Sequence, residues 1–194
     1  ARVYKIANTY IFPNFNITED TIDIAQATKQ NDFYIIDPDH VWKPKTFERL
    51  IYFHPGDIYN RTDHSTALNR MVSLGAFKFV KNKFEEIDDS ARLNVFYFLT
   101  PFPKKSIRAE ITGKKTDADF TGTELTSNWR NRNTFGGAEL LIVSAYGGAD
   151  FQAGEDKISS NRNYYKFGTQ VTLSVPHFIA PFKLRSTGPF VPKT

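Results

Sequence analysis

The chain has 194 residues, 40 % hydrophobic and 15 % aromatic, and its 25 basic and 21 acidic side chains give a formal charge of +4. A balance that small, scattered without a basic cluster, excludes an electrostatic footprint for nucleic acid. The absence of cysteine excludes disulfides, thiol catalysis and zinc–thiolate sites, and no apolar run approaches the roughly 20 residues of a membrane helix. The 18 Phe and 9 Tyr favour a β-rich fold. The first residue is Ala1, with no methionine or signal-peptide pattern, as expected of a processed or trimmed N-terminus.

Val3 to Phe12 alternates, with Tyr4, Ile6, Tyr10 and Phe12 expected on one side, and closes at Pro13, which predicts an opening strand. Asn14 to Asp32 is polar apart from Phe15 and three isoleucines and reads as a loop excursion. Phe33 to Ile36 predicts a short strand before the turn Asp37-Pro38-Asp39. Pro44 suits the first turn of a helix in which Phe47, Leu50 and Ile51 have helical spacing, stopped by Pro55-Gly56. A second helix is capped by Thr62 or Asp63, carries the stripe Leu68, Met71 and Val72, and stops at Gly75. Phe77 to Ile87 and Arg92 to Thr100 then form two strands around Asp88-Asp89-Ser90. The order strand, helix, helix, strand, strand predicts an α+β layer with helices on one sheet face, and Pro101 and Pro103 set a domain border that closes residues 1–103.

Residues 104–194 read differently. Four strands each put apolar residues on one face and polar residues on the other. Ile107, Ala109, Ile111 and Gly113 oppose Arg108, Glu110, Thr112 and Lys114; Leu125 and Trp129 oppose Glu124, Thr126, Asn128 and Arg130. Leu141, Val143, Ala145 and Ala149 share a face, although Leu140 and Ile142 stand opposite before Ser144 and Asp150; Phe167, Thr169, Val171, Leu173 and Val175 oppose Gly168, Gln170, Thr172 and Ser174. The link Asn131 to Gly137 is short, whereas Lys115 to Gly122 and Ala153 to Asn163 are longer and charged, the asymmetry of transmembrane barrels. Four strands cannot close a barrel, so the chain reads as part of something larger.

Catalytic chemistry is thin. His40, His54, His64 and His177 lie far apart without metal-ligand spacing. Asp37, Asp39, Asp88 and Asp89 are turn residues; Gly136-Gly137 and Gly147-Gly148 lack the lysine and helix of a phosphate loop. The triplets at Asn16 and Asn60 match glycosylation acceptors but such triplets arise by chance. The expectation is no enzyme activity, no cofactor and no metal.

Several runs together carry a resemblance. Gly56-Asp57-Ile58-Tyr59, Leu68-Asn69-Arg70, Leu74-Gly75-Ala76-Phe77-Lys78-Phe79-Val80 and Leu93-Asn94-Val95 before Pro101 resemble a polypeptide-transport-associated (POTRA) domain, the one adjoining the barrel in outer-membrane assembly proteins of the BamA and TamA superfamily. Arg130-Asn131-Arg132-Asn133, Phe135-Gly136-Gly137-Ala138-Glu139-Leu140 and Val175-Pro176-His177-Phe178 with Pro181-Phe182 are similar to the first barrel strands of that superfamily, TamA-like members above all. The resemblance implies a β-α-α-β-β POTRA domain in the periplasm, followed by four antiparallel strands of a truncated transmembrane β-barrel in a Gram-negative outer membrane. It implies protein transport and membrane-protein assembly or translocation: unfolded outer-membrane clients are captured by strand addition at the POTRA edge, Phe77, Lys78, Phe79, Val80 and Lys81, which the lysines guard against indiscriminate pairing. Ser106, Ile107, Arg108, Ala109, Glu110 and Ile111 then lie in the barrel's seam strand, and Trp129, Phe135, Phe178 and Phe182 in an aromatic girdle at the periplasmic rim. The implied partners are outer-membrane clients, outer-membrane lipid and accessory envelope subunits, with no nucleic acid. The Asn131 to Gly137 link then faces the periplasm and the two longer loops face outward.

The competing reading is a soluble envelope β-rich binding module for peptide or glycan, in which all strands join one sheet system. A third is a relative that secretes one dedicated partner or carries an attached passenger enzyme.

Overall fold

The computed structural model describes residues 2–16, 24–87, 90–116, 120–152 and 163–176. They form a mixed α+β structure, mostly strands in two sheets. Two compact units result: the first holds Ala1–Phe102 and Asn133–Glu139, with Val175 and Pro176, and the second holds Pro103–Arg132 and Leu140–Ser174. Residues 133–139 and 175–176, which the sequence reading places in the strand-rich half, thus belong with the first unit.

In the first unit β1 (Lys5–Phe12), β2 (Thr28–Gln30), β3 (Phe33–Ile35), β4 (Phe77–Ile87) and β5 (Arg92–Pro101) pair in the order β2-β3-β1-β5-β4. β1 is parallel to both neighbours, and β4 runs antiparallel to β5. β2 corrects the expectation of a loop from Asn14 to Asp32. Its residues, Thr-Lys-Gln, are too polar to show an alternating pattern, but Asn31 at φ +45° begins a two-residue hairpin turn into β3. The register of β1 shifts between Ile6 and Asn8. That irregularity resets the alternation, so Ile6, Thr9 and Ile11 are buried while Tyr10 and Phe12 join a separate cluster with Phe96 and Phe98. The expected single face holding Ile6, Tyr10 and Phe12 is therefore divided.

α1 spans only Pro44–Glu48, with Pro44 at its start; Leu50 and Ile51 continue as turn residues yet stay buried. α2 (Arg61–Ser73) is capped by Asn60, whose extended backbone lets the side chain accept from Thr62 N at 2.8 Å. The expected caps Thr62 and Asp63 instead sit inside the first turn, where the Asp63 charge favours the helix dipole. Gly75 at φ +65° ends the helix as expected.

The main core packs Phe47, Phe53, Met71, Val95, Tyr97 and Leu99 with Ile6 and Ile11. Val95, Tyr97 and Leu99 are completely buried because β5 is central, with a strand on each side. Val95 and Leu99 each contribute about 1.5–3 kcal/mol on burial. A polar knot closes the approach to α1: Asp37 accepts from Trp42 N and Asn14 Nδ2, both at 2.8 Å, and Trp42 Nε1 donates to Asn14 at 2.9 Å. Asp37 is thus buried scaffold.

In the second unit β6 (Lys105–Thr116), β7 (Phe120–Arg132), β8 (Leu140–Gln152) and β9 (Tyr164–Ser174) form an antiparallel meander in sequence order. Their register is unbroken, so alternation persists across the whole sheet.

Candidate functional site

Register places four strands' alternating residues on common faces. Ile107, Trp129, Val143 and Val171 stand in one cross-strand row, and Ile111, Leu125, Gly147 and Phe167 in another. This face is apolar and open: Ile107 and Ile111 are 74 % exposed, Val171 68 % and Phe167 88 %. The opposite face carries charge. Glu124 of β7 accepts Lys114 at 3.3 Å and Lys166 at 3.1 Å, and Lys166 also reaches Asp150 at 3.5 Å, linking all four strands. Ser144 donates to Asn128 at 2.7 Å on the same face. Tyr146 lies flat over Gly168, where an added Cβ would come within 2.5 Å of the ring. Sequence reasoning found both faces but not the charge chain, because Lys114, Glu124, Asp150 and Lys166 converge only through the register.

Among the described residues both sheets have open edges. Among the described residues β4 pairs only with β5 and lies at the rim of its sheet. There Phe77 is buried, Val80 half-buried, and Lys78, Phe79 and Lys81 exposed, with the Lys78 ammonium 5.2 Å from the Phe79 ring centroid. Lys83 is engaged by Glu85 at 2.6 Å. Ser106, Ile107, Arg108, Ala109, Glu110 and Ile111 lie on β6, an edge of the second sheet, with Arg108 and Glu110 paired at 3.3 Å. Trp129 is half-buried on the apolar face and Phe135 is exposed at a loop; Phe178 and Phe182 lie outside the described residues.

Asn133–Glu139, which overlaps the expected short link Asn131 to Gly137, is a built part of the first unit. Asn133, Gly136 and Ala138 all have positive φ. Asn133 Nδ2 donates to Val41 O at 3.0 Å, its Oδ1 accepts from Ala138 N at 3.0 Å, and Gly136 O accepts from Lys43 N at 2.7 Å. These bonds hold the Ala138 methyl in the main core. Glu139 Oε2 accepts from Phe135 N at 3.1 Å and Gly137 N at 3.0 Å. Burial alone would raise the Glu139 pKa, but the N–H groups of Glu139, Gly137 and Phe135, with Lys43 nearby, hold it below the ordinary carboxylate value. The Asn and Gly positions suited to positive φ were the legible signal.

The three described histidines lie apart. His54 Nδ1 pairs with Asp32 at 2.9 Å on the surface, His40 occupies a turn at φ +49°, and His64 packs on Tyr59 and Phe84. His177, Asp88 and Asp89 lie outside the described residues. Among the described residues no group of three His, Asp or Glu side chains could hold a metal, and no helix is long and apolar enough to cross a membrane.

No protein-family model matches the sequence, and no curated protein is significantly similar to it. Solved structures do align. POTRA domains 1–3 of the periplasmic domain of Omp85 from Anabaena match 52 % of this chain and 35 % of theirs at 18 % identity and a TM-score of 0.37. BamA from Haemophilus ducreyi lacking POTRA domains 1–3 matches 88 % of this chain and 32 % of its own, at 12 % identity and TM-score 0.40. CdiB from Acinetobacter baumannii matches 89 % and 33 %, at 9 % identity and TM-score 0.44. The chain spans about a third of the length of each of these structures.

Proposed function

We propose that the chain is part of an outer-membrane protein that assembles or translocates other proteins, the first unit being a periplasmic POTRA-type domain and the second the opening strands of a transmembrane β-barrel. The observation that carries this reading is the second sheet's two-facedness: an exposed apolar face set against a face crossed by the Lys114, Glu124, Lys166 and Asp150 charges. Lipid rewards the first and a water-filled lumen the second. Strand length supports it, since these strands run 11 to 13 residues where a tilted membrane strand needs about 9–11. In a bilayer the open edges at β6 and β9 must be joined to further strands, because hydrocarbon leaves backbone polar groups unsatisfied.

In this reading an unfolded client strand first pairs with the open edge of β4 around Phe77, Lys78, Phe79, Val80 and Lys81, gaining main-chain hydrogen bonds. β6, from Ser106 to Ile111, is the seam at which client strands enter the barrel, and Trp129, Phe135, Phe178 and Phe182 line the membrane interface. No bond-making chemistry is required, and the protein is not an enzyme.

The cysteine-free sequence allows single labels. An environment-sensitive fluorophore on Ile111→Cys and Val171→Cys should be blue-shifted in lipid vesicles and quenched by a lipid-borne quencher, whereas Thr126→Cys and Gln170→Cys should be quenched by aqueous iodide. Equal aqueous quenching at all four sites, with a monodisperse protein free of detergent, would establish the soluble binding module instead. Client capture is checked separately with a photo-crosslinker at Phe79 or at Ser65 on α2. An unfolded outer-membrane protein should crosslink through Phe79 and not through Ser65, and equal yields at both would remove the strand-addition step.

A further inference from the structure

We propose that the first unit carries a binding pocket for a phosphate-type anion, between α1, α2 and the loop Asn133–Glu139. A cavity of about 200 Å³ is bounded there by Lys43, Lys45, Arg49, Arg70, Leu74 and Glu139, all residues of that unit. Four cations face one carboxylate, and Glu139 Oε2 already accepts two backbone N–H groups. Among the described residues none of the four cations makes an ion pair within 4.0 Å.

Arg70 supplies the second, independent observation. Its Nη1 is buried without a hydrogen-bond partner, while its guanidinium stacks 4.8 Å over the Tyr52 ring. A guanidinium held on an aromatic face is pre-organised, so the N–H groups it leaves accessible lose little freedom on meeting an acceptor. A carboxylate offers two oxygens and one charge. A phosphate monoester offers three free oxygens and up to two charges, which better matches converging Arg and Lys donors. Leu50 and Leu74 add an apolar wall on which the carbon end of an ester can rest. The site does not depend on the transport reading, since every wall belongs to the α+β unit.

The test is a titration of the full chain, in detergent or lipid as needed, with inorganic phosphate, glycerol phosphate and vesicles of anionic or zwitterionic phospholipid, read by amide NMR shifts at Lys45, Thr46 and Gly137 and by calorimetry. Phosphate should bind saturably, and Arg70→Gln and Arg49→Gln should each weaken it about tenfold or more, while Lys5→Gln on β1 leaves it unchanged. Arg49 is exposed, so its variant keeps the test valid if the loss of Arg70 disturbs packing on Tyr52. Glycerol phosphate and anionic vesicles displacing phosphate would identify a lipid headgroup as the source; phosphate binding without that competition would identify the free ion, and either upholds the pocket. No saturable response, or Arg49→Gln and Arg70→Gln binding like the unchanged chain, would overturn it.

Discussion

Gly136 and Glu139 show how single residues decide whether seven residues become a loop or a structural part. Gly136 has φ +87°, and an added Cβ would lie 3.3 Å from the Lys43 side chain. Gly136→Ala should therefore cost about 1–2 kcal/mol, measured as a lower urea midpoint of the first unit through Trp42 fluorescence in a Trp129→Phe background. Gly113→Ala, with open space around its Cβ, should leave that midpoint in place. Glu139 is shifted down on folding, so the unfolded chain binds its proton first as pH falls. Its stabilising contribution is complete above the unfolded value of 4.5 and is lost as pH drops from there through the folded value. His64, lowered by burial and then by Arg61, acts with the same sign from 6.5 downward. In Glu139→Gln the loss of stability on acidification below 4.5 should be shallower than in the unchanged chain, read from urea midpoints at successive pH values; an identical slope would remove Glu139 from the account. Asn133 and Gly136 were recognisable as turn formers, but no local pattern assigns Glu139 to the N–H groups behind it. That pairing needs the chain to have turned already.

At the scale of the element, adjacent residues of β9 discriminate between the two sheet faces. Val171→Arg should lower the yield of folded protein in lipid vesicles by the equivalent of about 2–4 kcal/mol, whereas Gln170→Arg, one residue away on the charged face, should be near neutral. Measured by protease protection after reconstitution, equal losses at both positions would show that the alternation has no lipid-facing side. The strands of this sheet were readable because their register is unbroken, so a period of two in sequence stays a period of two in space. β1 was half readable for the opposite reason: its register shift moves Ile6 to the helix side and leaves Tyr10 and Phe12 on the other. α2 was legible from Met71 and Gly75, but its cap was misassigned by two to three residues because Asn60, Thr62 and Asp63 are all competent caps and only backbone conformation selects among them.

For the whole molecule, the order of elements along the chain differs from the order of packing. Asn133–Glu139 lies between two strands of the second unit in sequence but completes the core of the first. A chain ending at Phe102 should therefore be less stable than the first unit of the full chain by about 2 kcal/mol, since it loses the bonds to Val41 and Lys43 and the buried Ala138 methyl. Urea midpoints followed by Trp42 emission measure the difference, and equal midpoints would mean that the loop contributes nothing. What the sequence by itself determined is everything that depends on near neighbours: the α+β beginning, the strand-rich remainder, and the two faces of β6 to β9. What only the tertiary structure decided is everything that joins distant residues: the extra strand β2, the Lys114–Glu124–Lys166–Asp150 chain, the membership of Asn133–Glu139, and the cation-lined pocket. The physical reason is that alternation and capping act over a few bonds, whereas charge convergence and core membership depend on the register and turns that bring residues about 90 positions apart, such as Val41 and Asn133, into hydrogen-bonding range.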